Sequence, residues 1–372
     1  TAYYTKSMTI HSEKFGGIDG RCVSVVLDDH DVTFGSAEKV QEAFKEIIEE
    51  YRPQCVFLVT TCVIEIIGDD FDAISEGLSE LYGIPVLPVH TEHFKCEDHL
   101  PGLERTITVC AEMMKSCDSD NSVNLLGQRM GDFATTELYA MLQKAGVKIG
   151  LQLPCGCSVD DIKNAAAAKV NIVVNDIALP LAQKMQEKFG IPYVYFNKFV
   201  IPEKIYEAYK NLFVYLELEL PGELEGLYQN AREKIEKNKG ELEGITYIYG
   251  NTPYAVFEMN CFLSSLGMVP QVIQTNRYTE ADEPYAKEIL QYTDPYVCKA
   301  ANIAPLQYVY DVLSPYLYLG HEFGNRLRQK GIAIVHSDRA SGMLGFEVTG
   351  YLLQQLVKSV REAKEYRKEL GL

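Results

Sequence analysis

The sequence predicts an α/β protein of three doubly wound, Rossmann-like domains with mainly parallel sheets. Three observations point there. Short apolar, β-branched runs alternate along the whole chain with segments whose apolar residues recur at helical spacing. The run Val56-Phe57-Leu58-Val59 shows no polar alternation, as expected of a parallel strand buried on both faces. With 372 residues the chain is long enough for two or three domains and an ample core.

The first expected domain spans 1–118. Its lead-in, 1–20, is polar and contains glycine, and 22–27 reads as a strand. Gly35 and Ser36 precede a helix over 37–51, with Val40, Phe44, Ile47 and Ile48 at helical spacing, and Pro53 ends it. Strand 56–59 leads to Cys62. A second short apolar run then reaches Gly68-Asp69-Asp70, which turns the chain and caps a helix over 71–82. A strand over 85–89, a polar loop carrying His93, Cys96 and His99, and a helix over 101–115 complete the unit.

The second domain, 119–240, alternates strands at 123–126, 147–152, 170–174 and 193–196 with helices at 133–144, 159–168, 179–189 and 202–216. A charged helical segment over 221–243 reads as a solvated connector. The third domain, 241–372, repeats the pattern with strands at 245–250, 269–273, 296–299, 316–319 and 332–335. Helices at 253–266, 281–292, 304–313 and 321–329 separate them, and Gly267 serves as a C-cap. A helix over 344–360 and a charged tail helix to 370 close the chain.

The net charge of −17, with 23% charged residues, argues against a nucleic-acid surface, which needs a basic footprint. It suits a protein that meets its partner through charge complementarity. No apolar run reaches the length of a membrane span and no signal peptide is visible, so a cytoplasmic protein is expected. Ten irregularly spaced cysteines read as reduced thiols, a few of them metal ligands.

Cys62 falls at the carboxyl end of a strand, where open α/β sheets bind ligands, although buried cysteines often only fill space. Cys22 is a second ligand or a packing thiol. In Cys155-Gly156-Cys157 the glycine lets both sulfurs face one point. Asn175 and His336 lie at carboxyl ends of expected strands, which favours pocket lining; for His336 the alternative is a helix-capping or satisfied buried imidazole. The turn Gly127 to Gly131 lacks the G-x-G-x-x-G fingerprint, and no Walker A lysine is present, so any ATP hydrolysis falls to a partner.

The phrase Thr60-Thr61-Cys62-Val63-Ile64-Glu65-Ile66-Ile67-Gly68-Asp69-Asp70, preceded by Asp31-Val32-Thr33-Phe34-Gly35-Ser36, resembles the catalytic-component subunits of the nitrogenase superfamily. That group includes nitrogenases, their cofactor-assembly scaffolds, dark-operative tetrapyrrole reductases and the cyclase of nickel-tetrapyrrole biosynthesis. The likeness continues through 166–175, through Met185 to Tyr193, and through Val335-His336-Ser337-Asp338 with Gly342, Gly345, Phe346 and Glu347. It implies that Cys62 ligates an iron–sulfur cluster at a subunit interface. It implies pairing with a second copy or a sister subunit, and docking of an ATP-dependent iron–sulfur reductase.

In nitrogenase the Asn175 position holds a cysteine that binds the active-site metallocluster, and a histidine at the His336 position completes it. An amide is a poor ligand for such a cluster. The resemblance therefore implies reduction of a tetrapyrrole or another unsaturated molecule in the interdomain cleft. Asn175 and His336 would line the pocket, with His336 as proton donor. Two alternatives stay open: a scaffold that holds an immature metallocluster and hands it on, and a cluster-free binding protein.

Overall fold

The computed structural model describes residues 22–92, 95–96, 100–129, 131–154, 156–250, 252, 254–299 and 303–372. The chain divides into two compact units, the first running to Met114 and including Ser158–Lys163, the second holding Lys115–Cys157 and Asn164–Leu372.

In the first unit β1 (Val56–Val59) pairs in parallel with β2 (Val86–Val89), Val56 opposite Val86. Helices Ala37–Tyr51 and Phe71–Tyr82 fall where the periodicity places them. They bury Val40, Phe44, Phe71 and Leu78 in one core with Ile64 and Val86. Each such side chain contributes about 1.5–3 kcal/mol of transfer free energy. The Asp70 carboxylate accepts from the Ala73 amide at 3.0 Å, the expected N-cap. Ser36 makes no side-chain cap of its own helix. Its amide and hydroxyl instead donate to Asp69 at 2.8 and 2.6 Å.

Three expectations are corrected in this unit. Residues 22–27 enter no ladder, and Val23 and Val26 are exposed, because β-branched residues make a strand only where a neighbour satisfies their backbone. β1 is not buried on both faces: Phe57 and Val59 are 38% and 52% exposed. The second apolar run is a helix, Cys62–Ile67, which starts from an extended Thr61 and stops at Gly68, whose φ of 85° few other residues adopt.

The second unit holds two parallel sheets. β3 (Val123–Gln128), β4 (Ile149–Pro154), β5 (Val170–Val173) and β6 (Tyr193–Tyr195) lie in the order β4-β3-β5-β6. β7 (Thr246–Tyr249), β8 (Val269–Thr275), β9 (Tyr296–Lys299), β10 (Leu317–Leu319) and β11 (Ala333–Val335) lie in the order β11-β10-β7-β8-β9. β3, fully buried, carries Asn124 inside it. The pairing of β3 with β4 slips between Val123 and Leu125, and the Asn124 side chain compensates. Its Oδ1 accepts from the Leu151 amide at 3.0 Å, and its Nδ2 donates to Ala165 O and to Asn171 Oδ1, each at 2.8 Å.

The connector forms the helix Leu224–Leu242, which is only partly solvated: Leu224, Ala231 and Leu242 are buried, and it packs on the helices Pro202–Leu216 and Glu347–Leu370. The carboxyl-terminal segment is one helix, Glu347–Leu370, rather than two. Its apolar face continues unbroken from Val348 to Ala363, so nothing interrupts it near 360. Among the described residues no helix is long and apolar enough to cross a membrane.

Candidate functional site

Cys62 is the first residue of its short helix, a half-buried free thiol. The rest of the phrase around it explains its placement. Thr60 follows β1, and its hydroxyl donates to Glu65 Oε1 at 2.5 Å. The same oxygen accepts from the Glu92 amide at 2.7 Å, just past β2, and the Thr91 amide donates to Thr60 Oγ1 at 3.0 Å. Glu65 thus ties the carboxyl ends of both strands to the Cys62 helix, and Asp69 ties that helix to Ser36. Beneath lies a cavity of about 280 Å³, lined by Thr60, Glu65, Asp69, His90 and Glu92 among others.

On the outer side the surroundings are apolar: Val63 and Ile66, three apart on the helix, are 45% and 75% exposed. Cys22 is likewise a half-buried free thiol. Among the described residues the one group of three metal-type donors within 4.8 Å is Asp28, His30 and Asp31, which contains neither cysteine. The residues fit one corner of an iron–sulfur cluster: a thiol on a fixed backbone within an apolar rim. Such clusters take four protein ligands, so the remainder must come from elsewhere.

In the second unit the four-stranded parallel sheet has the order β4-β3-β5-β6, so the chain order switches sides between β3 and β5, and ligands of open α/β sheets bind beside such a switch point. Asn175, half-buried, lies there. Its Oδ1 accepts from the Ile177 amide at 3.2 Å, capping the turn Asp176–Ala178. Gly127, at φ 100°, lets the backbone of β3 approach: a Cβ there would lie 2.9 Å from Asn175 Cβ. At the other end of the same loop a Cβ on Gly131 would lie 2.6 Å from Gly342 Cα. Gly342 closes the turn Asp338–Gly342 that follows His336.

One loop therefore touches Asn175 at one end and the turn after His336 at the other; no direct contact joins the two side chains among the described residues. His336 is exposed at the end of edge strand β11, and its carbonyl accepts from Tyr351 Oη at 3.1 Å. It is therefore not the buried imidazole of the structural alternative. The Gly127–Gly131 turn, without a nucleotide fingerprint, serves this close packing.

The end of β6 carries polar groups that periodicity and motif do not mark. Tyr195 donates to the Asp176 carboxylate, and Asn197 Nδ2 donates to Tyr195 Oη at 2.7 Å. Burial, and then the Asp176 charge, push the Tyr195 hydroxyl far above its ordinary range. Lys198, next in the chain, is only 8% exposed. Burial, and then the Arg129 guanidinium, pull its ammonium down to about 8. In the sequence Lys198 stands two residues past the apolar run Tyr193-Val194-Tyr195-Phe196, which puts it near the strand end but gives no sign of its burial. Deeper in, Glu258 pairs with Lys204 at 3.2 Å, and Lys204 lies 4.2 Å from the Tyr285 ring centre.

Other sequence candidates stay apart from these sites. Cys96 Sγ lies 3.8 Å from Thr91 O, while His93 and His99 lie outside the described residues. Cys155 also lies outside them, and Cys157 Sγ is 4.0 Å from Pro154 O.

The chain is 34% identical over 176 residues to the nitrogenase iron-molybdenum cofactor biosynthesis protein NifE of Clostridium pasteurianum, covering 46% of this chain and 38% of that one. It is 26% identical over 278 residues to NifE of Rippkaea orientalis, covering 71% and 58% respectively. The chain thus spans about half the length of the curated relatives it matches. A solved structure described as nitrogenase Cp1 at pH 6.5 superimposes with a TM-score of 0.76 at 14% identity, over 91% of this chain and 82% of that one, a likeness of fold. The family model described as nitrogenase component 1 type oxidoreductase matches residues 1–361, and the chain belongs to that family.

Proposed function

We propose that this chain is one subunit of a metallocofactor-assembly scaffold, which holds an immature metallocluster as cargo in the crevice beside Asn175 and releases it to an acceptor. The observation that carries this reading is Asn175 itself. At the switch point it presents an amide committed to a turn, where a permanently held cluster needs a thiolate. A site without that anchor suits cargo that must leave. The relatives' names, cofactor biosynthesis proteins, support assembly over reduction of a tetrapyrrole.

Cys62 is proposed as one ligand of a resident iron–sulfur cluster shared with a sister subunit or a second copy, Cys22 as another. Such a cluster supplies single-electron transfer when bound. The chain's own part is to fix Cys62 through Thr60 and Glu65 and to exclude water with the apolar rim of Val63 and Ile66. An ATP-dependent iron–sulfur reductase is the proposed electron source. His336, exposed at the end of β11, is placed to hold or move a proton at the mouth of the crevice.

The test is anaerobic isolation of the full-length protein, with iron and acid-labile sulfide counted per chain before and after incubation with a cofactor-free acceptor of the same family. Bound iron that moves to the acceptor without substrate reduction is expected. An iron-free protein, or iron that never leaves, overturns the proposal.

A further inference from the structure

We infer that the cavity beneath the Cys62 helix, beside the carboxyl ends of β1 and β2, is a binding site for a small protonated amine, whose N–H groups donate to the Glu65 carboxylate. The site lies within the first unit and does not rest on the scaffold reading.

The cavity measures about 280 Å³. That is near the lower end of small-molecule pockets, about 300–1,000 Å³, and far more than the roughly 30 Å³ that one water occupies in the liquid. Every residue lining it belongs to the first unit. Ile64 and Phe71 supply an apolar wall, and Glu65, Asp69, Glu92 and Lys95 supply charge.

Glu65 is the group that points to a ligand. Its Oε1 accepts from Thr60 Oγ1 at 2.5 Å and from the Glu92 amide at 2.7 Å, with Thr91 Oγ1 3.5 Å away. Its Oε2 is buried, and no donor among the described residues reaches it. All three groups at Oε1 are neutral. The cations of this region are committed to Glu92: Lys95 Nζ lies 2.7 Å from its Oε1, and Arg105 Nη2 lies 2.7 Å from its Oε2. Asp69 is likewise held by neutral donors, the amide and hydroxyl of Ser36.

A buried carboxylate oxygen without a donor is costly, and one kept in the wall of a roomy cavity suits a donor that arrives from outside. Two lining carboxylates held only by neutral donors set the sign of that ligand as positive. The lining fits a bare metal ion poorly. Among the described residues, three donors of metal type come within 4.8 Å of one another only at Asp28, His30 and Asp31. A primary ammonium brings three N–H donors of its own and needs no such convergence. A short alkyl chain on it would lie against Ile64 and Phe71.

The experiment follows the thermal midpoint of the full chain against increasing propylammonium chloride. Sodium chloride and tetramethylammonium chloride at matched ionic strength are the controls, the second carrying the charge without an N–H. Magnesium chloride is run separately. A rise with propylammonium beyond both controls is expected, since a ligand that binds only the folded chain stabilises it. In Glu65→Gln the amide oxygen keeps the bonds from Thr60 and the Glu92 amide, while the charge and the open acceptor are lost. The apparent affinity for propylammonium should then fall at least about tenfold.

Equal rises with propylammonium and tetramethylammonium, a rise with magnesium alone, or no rise beyond sodium overturns the inference, the last leaving the cavity to water. An undiminished response in Glu65→Gln overturns it as well. Should that variant fail to fold, Lys95→Met removes a cation from the cavity wall at a side chain that is 64% exposed. It must bind propylammonium about threefold more tightly than the wild type. An unchanged or weaker response in Lys95→Met overturns the inference.

Discussion

Glu137 and Glu347 cap each other across the second unit. The Glu137 amide donates to Glu347 Oε1 at 3.1 Å, while Glu137 Oε1 accepts from the amide of Phe346, the residue before Glu347, at 2.9 Å. Glu347 Oε1 also accepts from Leu344 N at 3.0 Å, and Glu137 Oε1 from Tyr209 Oη at 3.0 Å. Two helix starts, one following β3 and one closing the chain, are thereby fastened together. Leu344 and Phe346 are buried in the core of the four-stranded sheet beside this clasp.

The clasp makes stability depend on pH. Burial, and then the neighbouring Glu347 carboxylate, raise the Glu137 carboxyl above its ordinary 4.5, against the pull of Phe346 N and Tyr209 Oη. A carboxyl raised in the folded state contributes stability that is fully present below the unfolded pKa and is lost as pH rises through the folded one. The free energy of unfolding contributed here should therefore fall as pH climbs above 4.5, and Glu137→Gln should flatten that slope. Glu137→Ala, which leaves two donors without their acceptor, should cost about 2–4 kcal/mol. Denaturant titrations across the acid-to-neutral range, wild type beside both variants, read all three.

Inside β3, Asn124→Ala should destabilise by about 2–4 kcal/mol, since the Leu151 amide and the Asn171 side chain lose a buried partner together. Asn124→Leu should be no better, because a well-shaped apolar group cannot mend the slipped ladder. Both variants should lower the denaturant midpoint with an unchanged slope, the sign of lost stability rather than of altered compactness.

Helix and strand positions were largely legible because each follows from local periodicity; 37–51 and 71–82 end where the structure ends them. The failures came where partners decide. Residues 22–27 have strand composition without a paired neighbour, and Val63 to Ile67 is a helix because Thr61 and Gly68 bracket it. Cys62, Asn175 and His336 were readable as strand-end residues. Lys198 was not, because a lysine gives no sign in sequence that it is buried without an acid.

Thiol chemistry should separate the cysteines. Burial pushes Cys55 up to about 11, and burial followed by Glu288 pushes Cys261 up to about 12. At pH 8 a thiol with pKa 11 is thiolate about one part in a thousand, so both should alkylate slowly. Cys117, exposed, should react first. Mass mapping after timed iodoacetamide treatment of the native chain gives the order, and rapid labelling of Cys261 would contradict its burial.

Position and ligation at Cys62 should prove separable. Cys62→Ser changes one atom at a half-buried site and leaves the Thr60–Glu65–Glu92 ties intact, so stability without metal should shift by less than about 1 kcal/mol. Iron and sulfide per chain should nevertheless fall. Glu65→Ala keeps the thiol and removes the oxygen that accepts from Thr60 and Glu92, so it should cost about 2–3 kcal/mol and loosen the helix that begins at Cys62. Its iron content should fall partway, and added iron and sulfide should restore more of it than in Cys62→Ser. Equal iron in wild type and Cys62→Ser would return this thiol to packing. Equal iron in wild type and Glu65→Ala would mean that the strand-end ties serve the fold alone.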